Sequence, residues 1–419
     1  MNPADPIALG LALPLWAVLP FLGFLLAIAL LPLFAPRFWA RHFGKVSAAF
    51  GIPVAASFLY LAPAELLHTA LEYISFLVLL GSLFTISGGI LLRGTLRGTP
   101  AVNCAFLAAG AVLSNLLGTT GASMLLIRPL LRANADRKRS AHVYVFFIFV
   151  VANIGGALTP IGDPPLFLGY LKGVPFFWTV RNLWSFWLAA TGIVIGIFYL
   201  LDRIAVRSEG ENGRAEASIP SKRNPLTVAG KRNLLLLGAV IAAVFLPTPV
   251  RETVMLAATA LSVWKTPAWI RRENEFTYHP MEEVAILFAG IFATMIPALL
   301  ILKARGGELG VTEPWHFFWA SGALSSFLDN APTYLTFLSL AQGAGGTADV
   351  AGVSTPILRA ISAGAVFMGA NTYIGNAPNF MVKSIAESAG VRMPSFFGYM
   401  AYSAAFLLPV FAVVTWLFL

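Results

Sequence analysis

Two aspartates within long apolar stretches are the residues of this sequence that most need a chemical explanation. Asp163 lies in TPIGDPPLFL and Asp329 lies in SSFLDNAPT, and they are the acids that we place near mid-membrane. A carboxylate at that depth is costly unless it binds a cation, pairs with a base or takes up a proton. We therefore expect both to bind sodium. The alternative for either acid is a place at a helix end, where it caps backbone amides.

Neutral polar residues accompany both aspartates. Their side-chain oxygens, with backbone carbonyls freed from helical hydrogen bonds, are the hard ligands that an alkali cation prefers. Any one of them alone fits a helix cap or a turn equally well. Together they predict an ion or substrate site made of Asn115, Thr119, Asn153, Thr159, Asp163, Asp329, Asn330, Asn371, Thr372 and Asn376.

The composition indicates which elements must position these residues. Hydrophobic residues make up 58% of the chain and charged residues 11%, which predicts an all-α integral membrane protein. The net charge of +9 comes from Lys and Arg in short connections, so positive-inside placement explains it without nucleic acid. Cys104 is the only cysteine, which excludes a disulfide within the chain. The first apolar run has no basic segment before it and reads as a retained helix.

We predict about ten transmembrane helices and two re-entrant hairpins. The hairpins, at roughly 100–130 and 314–342, are interrupted by SNLLGTTG and SSFLDNAPT, and the alternative for each is one ordinary spanning helix. Gly118, Gly121 and Pro332 disfavour a continuous helix. The ten helices are expected at about 7–34, 47–66, 71–92, 141–171, 174–201, 233–249, 252–270, 281–302, 355–387 and 394–419.

The two halves of the chain read as copies of each other. TPIGDPPLFL and TYIGNAPNFM agree at five of ten positions, and Thr159 precedes Thr372 by 213 residues. Glu72 and Glu283 are 211 residues apart, as are Ser114 and Ser325. Five crossings and one hairpin per half make an odd number, so the halves should be inverted repeats. We assign 1–201 to the first repeat, 202–232 to a mobile cytoplasmic linker and 233–419 to the second.

Four segments carry a resemblance to a known group of proteins. SNLLGTTGASMLL, NIGGALTPIGDPP, LSSFLDNAPTYLTF and GANTYIGNAPNF resemble the ion-transporter superfamily, which includes NhaD-type sodium/proton antiporters, arsenite permeases and citrate and dicarboxylate carriers. The likeness covers nearly the whole chain. It is closest to NhaD-type proteins around TPIGD and SSFLDN, and the chain is also similar to a bacterial citrate transporter group. The resemblance implies an elevator-like movement, a homodimer and a bacterial inner membrane location.

One departure from the NhaD pattern bears on the transported species. Gly118 and Thr119 stand where NhaD-type proteins carry an Asp-Asn pair, and Ser114, Asn115 and Thr119 resemble the neutral hairpin tips of carboxylate carriers. Helix N-termini after each break also present positive dipole ends to an anion, although no Arg or Lys lies in the motifs. Arsenite export is a third option, for which the residues offer no evidence either way.

We predict a sodium/proton antiporter, in which the aspartates bind either Na⁺ or H⁺ and competition couples the two flows. The alternative is sodium- or proton-coupled uptake of citrate or another small carboxylate. No Walker, GxSxG or HExxH motif is present, so we expect a protein without a cofactor that is not an enzyme. A GxGD-type aspartyl protease is disfavoured, because Pro160 and Ile161 occupy the region of the motif's first glycine.

Overall fold

Helices account for most of the chain in the computed structural model, which describes residues 5–94, 96–213, 227–345 and 349–419. The helices of the part before residue 214 are α1 (Pro6–Ala12), α2 (Leu19–Phe34), α3 (Pro36–Leu61), α4 (Pro63–Ser87), α5 (Pro100–Ala133), α6 (Ala141–Val150), α7 (Pro164–Leu171) and α8 (Trp178–Gly213).

The second part of the chain supplies ten further helices within the described ranges. They are α9 (Arg232–Ala243), α10 (Val250–Lys265), α11 (Ala268–Glu273), α12 (His279–Arg305), α13 (Pro314–Ser325), α14 (Asn330–Ala344), α15 (Thr355–Met368), α16 (Ala377–Ser388), α17 (Phe396–Tyr402) and α18 (Leu408–Phe418). A two-stranded antiparallel sheet pairs β1 (Leu91–Arg93) with β2 (Thr227–Ala229).

Proline marks where many of these helices begin. Pro36, Pro63, Pro100, Pro164 and Pro314 each occupy the first position of a helix. This position suits proline, because its fixed φ matches the helix and its missing N–H would have no helical acceptor there. The same residue that breaks a membrane helix therefore sets the start of α7 beside one of the interruptions.

Eight helical segments of the described residues are long and apolar enough to cross a membrane. The chain is thus an all-helical, multi-pass integral membrane protein. The prediction of about ten spanning helices differs, because α9 has 12 residues and α10 has 16, whereas about 20 are needed to cross the hydrocarbon core. The predicted span at 355–387 is also missing, because its interruption leaves neither α15 nor α16 long enough to cross. The eighth segment is α5, which the sequence analysis assigned to a hairpin and not to the ten helices.

The first interrupted segment, α5, folds back on itself. Gly118 has φ 75° and ψ 156°, which is outside the helical region and open to glycine because it lacks a Cβ. The amides of Asn103 and Asn134 exchange hydrogen bonds of 3.0 and 2.8 Å, so the two ends of α5 lie side by side. The predicted break at Gly118 is present. Whether both arms enter the bilayer from one side stays a prediction.

Three other interruptions coincide with the predicted breaks. A turn at residues 326–329 separates α13 from α14, and the rings of Phe317 and Phe337 lie 6.5 Å apart across the two arms. Short 3₁₀ turns at Ile154–Leu158 and Gly369–Asn371, each followed by extended backbone, separate α6 from α7 and α15 from α16. The helix α6 is apolar all round and is buried along its length from Val143 to Val150, as expected for a central helix.

The predicted linker at 202–232 is only partly described. Its first residues continue α8 as far as Gly213, and residues 227–229 form β2. Residues 214–226, which make up most of the predicted mobile stretch, lie outside the described residues. The proposed boundaries of the two repeats are untested by these observations.

Candidate functional site

The four interruptions bring four helix N-termini to one place, and each carries a polar side chain there. Thr119 begins the second arm of α5 after Gly118, and Asn330 begins α14. Asp163 and Asn376 are the residues that precede α7 and α16. Four segments that are distant in sequence therefore meet around a single carboxylate, that of Asp163.

Asp163 accepts hydrogen bonds from the other three segments. Its Oδ1 accepts from Thr119 Oγ1 at 3.0 Å and from Asn376 Nδ2 at 3.2 Å. Its Oδ2 accepts from Asn330 Nδ2 at 2.5 Å. The backbone N–H of Thr119 also donates to the Gly162 carbonyl at 2.8 Å, which fixes the hairpin turn against the broken segment. These groups orient the carboxylate, but all are neutral.

The environments of the two aspartates differ. Asp163 is 1% exposed and makes no hydrogen bond to the amides of its own helix. Asp329 is partly exposed and accepts from the Ala331 N–H at 3.1 Å, so it caps α14. Asp329 is thus a helix cap, as the alternative interpretation expected, while its binding of sodium stays a prediction. Capping uses one of its oxygens and leaves the other for a ligand.

Two buried amide oxygens near these segments have no hydrogen-bond partner within the described residues, Asn330 Oδ1 and Asn371 Oδ1. Buried polar atoms are nearly always paired, so an unpaired oxygen marks a place for a water molecule or a cation. Asn330 donates to Asp163 through Nδ2, and its free oxygen belongs to the same side chain. The donor set of carboxylate, hydroxyl and amide oxygens fits sodium.

Asn115 and Thr159 hold the first broken segment in its turn. Asn115 Oδ1 accepts from the Leu158 N–H at 2.8 Å, and its backbone carbonyl accepts from Thr159 Oγ1 at 2.6 Å. Thr159 Oγ1 in turn accepts from the Gly162 N–H at 3.0 Å. These two predicted site residues are thus committed to backbone groups, and they position Asp163 rather than contact it.

Asn371 and Thr372 do the same in the second broken segment. Thr372 Oγ1 donates to the Ser326 carbonyl at 2.5 Å and accepts from the Gly375 N–H at 3.1 Å. Asn371 Nδ2 donates to Ser326 Oγ at 2.9 Å. The hydroxyl contacts match those of Thr159, since each partner lies 211 or 213 residues after its counterpart in the first half.

A chain of amides links the two broken segments directly. Asn153 Nδ2 donates to Asn379 Oδ1 at 2.7 Å, and Asn376 Nδ2 donates to the Ala152 carbonyl at 3.1 Å. Asn379 Nδ2 bonds to the carbonyls of Gly369 and Thr372. Asn153 thus reaches the site through Asn376. The sequence analysis missed Asn379, which is fully buried. Its position three residues after Asn376 in GNAPNF was a usable signal.

A cavity of about 970 Å³ leads to the site from one direction. It reaches Thr119, Asp329 and Asn376, while Asp163 lies behind them. The cavity follows α4 from Phe76 to Phe84. Its charged and titratable lining within the described residues comprises Asp329, His279, Glu283, Tyr373, Lys383 and Glu387.

An ion pair lies towards the other end of α4. Lys172, just after α7, contacts both carboxylate oxygens of Glu72 at 2.6 and 2.8 Å. His68 Nε2 lies 3.0 Å from the same carboxylate, of which only 7% is exposed. The two ends of the α4–α7 contact therefore differ, because one is closed by charges and the other opens into the cavity.

Sequence reasoning also missed two buried acids away from Asp163. Asp202 is fully buried and pairs with Arg137 and His142. Glu252 is buried, pairs with Arg251 and accepts from Ser75 Oγ at 2.7 Å. Both acids lie near the ends of apolar runs, and their positions in the sequence therefore suggested that their side chains face solvent. Each has a cationic partner, which neither Asp163 nor Asp329 has among the described ion pairs.

Comparison with known proteins follows this geometry. The chain matches the CitMHS_2 family, described as "Putative citrate transport", over residues 10–419. No curated protein matches the sequence. Since the family match covers nearly the whole chain and the described residues hold eight candidate spans, the chain is a multi-pass membrane protein that belongs to this transport family.

Proposed function

We propose that the protein is a secondary transporter that exchanges sodium for protons at the carboxylates of Asp163 and Asp329. The observation that carries the proposal is the buried Asp163 carboxylate, held by neutral groups from three other segments and unpaired with any described base. An isolated charge at such depth is expensive, so the site favours a bound cation or a bound proton. Because one carboxylate holds only one of them, competition couples the two flows.

Access to the site favours alternation between two sides of the membrane. The 970 Å³ cavity reaches Asp329 from one direction, while the Glu72 and Lys172 pair closes the contact between α4 and α7 at the other end. Movement of the broken helices against α4 would break that pair and bury the cavity. We propose an elevator-type mechanism of this kind, operating in a homodimer in the bacterial inner membrane.

The matched hydrogen bonds of Thr159 and Thr372 support an internal duplication, with re-entrant hairpins and inverted halves. Inversion is testable by thiol labelling in a Cys104→Ser background. Lys231→Cys lies in the proposed cytoplasmic linker and Phe177→Cys lies in the connection before α8, on the opposite face. An impermeant reagent applied outside should label only the cysteine at 177. Labelling of 231 from outside contradicts the topology.

Transport by purified protein in proteoliposomes tests the exchange itself. An inward sodium gradient should drive protons outward, and a potassium gradient of equal size serves as the control. Asp163→Asn should abolish the sodium-driven proton flux. A wild-type protein that moves no protons in response to sodium would contradict the antiport proposal.

Citrate transport is the second candidate, because the family description names it. Four helix N-termini point their positive dipole ends at the site, which suits a carboxylate substrate together with a cation. The same proteoliposomes discriminate the two functions. Uptake of labelled citrate that requires sodium or a proton gradient, without sodium-driven proton efflux, would establish the second candidate and refute the first.

A further inference from the structure

A second cavity lies away from Asp163, where several membrane helices end together. It has a volume of about 1300 Å³ and is bounded by the connection between α5 and α6, the last turns of α8 and the start of α17. Basic residues predict this face of the protein to be cytoplasmic. The cavity does not share lining residues with the one that reaches Asp329.

The charged side chains in the described lining of this cavity are all basic. Three follow one another in the connection between α5 and α6, a fourth lies in the last turn of α5, and a fifth comes from the loop after α16. Asp136 lies in the same connection, is exposed and does not line the cavity. The basic lining residues are Arg132, Arg137, Lys138, Arg139 and Arg392.

A buried network fixes the connection that carries most of these charges. Asp202, on α8, lies 2.6 Å from Arg137 Nη1 and 2.8 Å from His142 Nε2. Its other oxygen accepts from Asn103 Nδ2 at 2.9 Å. Since Asp202 has no exposed surface, these contacts hold the chain from 137 to 142 against α8 and keep the neighbouring basic residues at the cavity.

Another part of the wall is apolar and belongs to membrane-spanning segments. Leu201 and Ile204 come from α8, while Ala401, Ala405 and Phe406 come from the last span. Small side chains at 401 and 405 leave room beside Phe406. One cavity therefore joins a cationic part at the end of the spans to an apolar part that continues along them.

We propose that this cavity binds an anionic phospholipid. Its headgroup phosphate lies among Lys138, Arg392 and their basic neighbours, and an acyl chain lies along Ala401 and Ala405. Basic pockets between membrane helices on the cytoplasmic side suit such headgroups. A free phosphate would share the cationic contacts but would not use the apolar wall, so the combination favours a lipid. The proposal is independent of the transported species.

Lipid titration of the purified full-length protein tests this site. Phosphatidylglycerol in detergent should raise the thermal unfolding temperature, whereas phosphatidylcholine should not. Replacing both basic residues in Lys138→Ala/Arg392→Ala should weaken the apparent affinity for phosphatidylglycerol by about 30-fold, which corresponds to about 1 kcal/mol for each basic residue near the surface. The matched control is Lys265→Ala/Arg272→Ala, which removes two exposed basic residues outside the cavity.

A second variant and a second ligand separate a lipid from a free anion. Ala401→Trp fills the apolar wall and keeps every charge, so it should weaken phosphatidylglycerol binding as well. Inorganic phosphate and glycerol phosphate should give no comparable stabilisation. Equal affinity in both double variants, unchanged binding in Ala401→Trp, or stabilisation by glycerol phosphate equal to that by the lipid would each overturn the proposal.

Discussion

The two broken segments, residues 159–171 and 372–388, share one turn but carry different chemistry. In both, a threonine hydroxyl donates to a hairpin carbonyl and accepts from a glycine N–H three residues later. The residue that follows that glycine is Asp163 in the first segment and Asn376 in the second. The same threonine-to-glycine turn therefore occurs in both segments, whereas the charge is present in the first only.

The hairpins show the reverse asymmetry. Gly118 turns the first hairpin and Asp329 stands at the corresponding position of the second. The residues that follow, Thr119 and Asn330, both donate to Asp163. The part of the chain before residue 214 thus supplies Asp163 and one neutral donor, Thr119. The later part supplies Asp329 and two neutral donors, Asn330 and Asn376. The comparison shows that two segments can share the same backbone turn while their side chains carry different charges.

Removing the charge from the first segment should have the largest effect. Asp163→Asn is expected to abolish sodium-coupled transport, because an amide carries no negative charge for the cation. The protein should still fold. If the Asn330 side chain flips, its Oδ1, which has no partner in the wild type, can accept from the amide introduced at position 163. Transport assays, with unfolding temperature as the control, measure both. Sodium-driven flux close to wild type would contradict a role for Asp163.

The same carboxylate predicts how sodium affinity depends on pH. Protons occupy Asp163 increasingly as pH falls, so the apparent sodium affinity of wild type should weaken. Asp163→Glu should keep this dependence but bind sodium less well, because the longer side chain moves the charge. Sodium binding measured at several pH values decides the matter. An affinity independent of pH would show that sodium and protons do not share the site.

Removing the charge of Asp329 from the second hairpin tests whether transport requires this carboxylate as well as that of Asp163. Asp329→Asn should also abolish cation-coupled transport. Its stability should stay close to wild type, since an amide oxygen can still accept from the Ala331 N–H. Asp136→Asn, an exposed acid outside the site, is the matched control for transport. Full transport activity in Asp329→Asn would leave Asp163 as the one required carboxylate.

A negative charge added to the second broken segment, at Asn376, should reduce the stability of the protein. Asn376 Nδ2 donates to the Ala152 carbonyl at 3.1 Å, and an aspartate there would turn a carboxylate oxygen towards that carbonyl. We expect Asn376→Asp to destabilise the protein by about 1–3 kcal/mol, the cost of an unpaired buried group. Denaturation in detergent measures this. A stability equal to that of Asp163→Asn would show that the two positions are interchangeable.

The smallest expected effect concerns the ion pair beside α7. Glu72→Gln weakens the contact with Lys172, so the closed end should open more often and accessibility of a nearby engineered cysteine should rise a few-fold. Lys383→Gln removes a partly exposed pair with Glu387 within α16, where such pairs contribute about 0.2–0.5 kcal/mol, and it serves as the control. Equal accessibility in Glu72→Gln and wild type would argue against a closing role.

Local signals accounted for the breaks and for the central cluster. Glycine, proline, Asn and Asp in apolar runs marked where helices end, and the repeat alignment placed Thr119 and Asn330 in corresponding positions. Thr119, Asp163, Asn330 and Asn376 all belonged to the predicted site, and the structure brings the other three side chains to the Asp163 carboxylate. Their binding of an ion stays a prediction. The roles of Asn115 and Thr159 were harder to predict. An Asn or Thr side chain that bonds to the backbone cannot be told from one that binds an ion by residue type alone.

Helix length and long-range pairing were the parts that sequence could not supply. Apolar residues continue beyond the ends of α9 and α10, so hydropathy overestimated both helices. The pairing of Glu72 with Lys172 joins residues 100 positions apart, and that of Asp202 with Arg137 depends on how α8 packs. Such contacts depend on tertiary structure, for which a single sequence carries little local signal.

The amide chain from Asn153 through Asn379 has a mechanical consequence. It joins the two broken helices by buried hydrogen bonds, and separating them would leave several polar groups unpaired in an apolar interior. The pair is therefore stiff internally, and a displacement of one broken helix should carry the other with it. Deformation is then confined to the periphery, where α7 meets α4 and where α16 borders the open cavity.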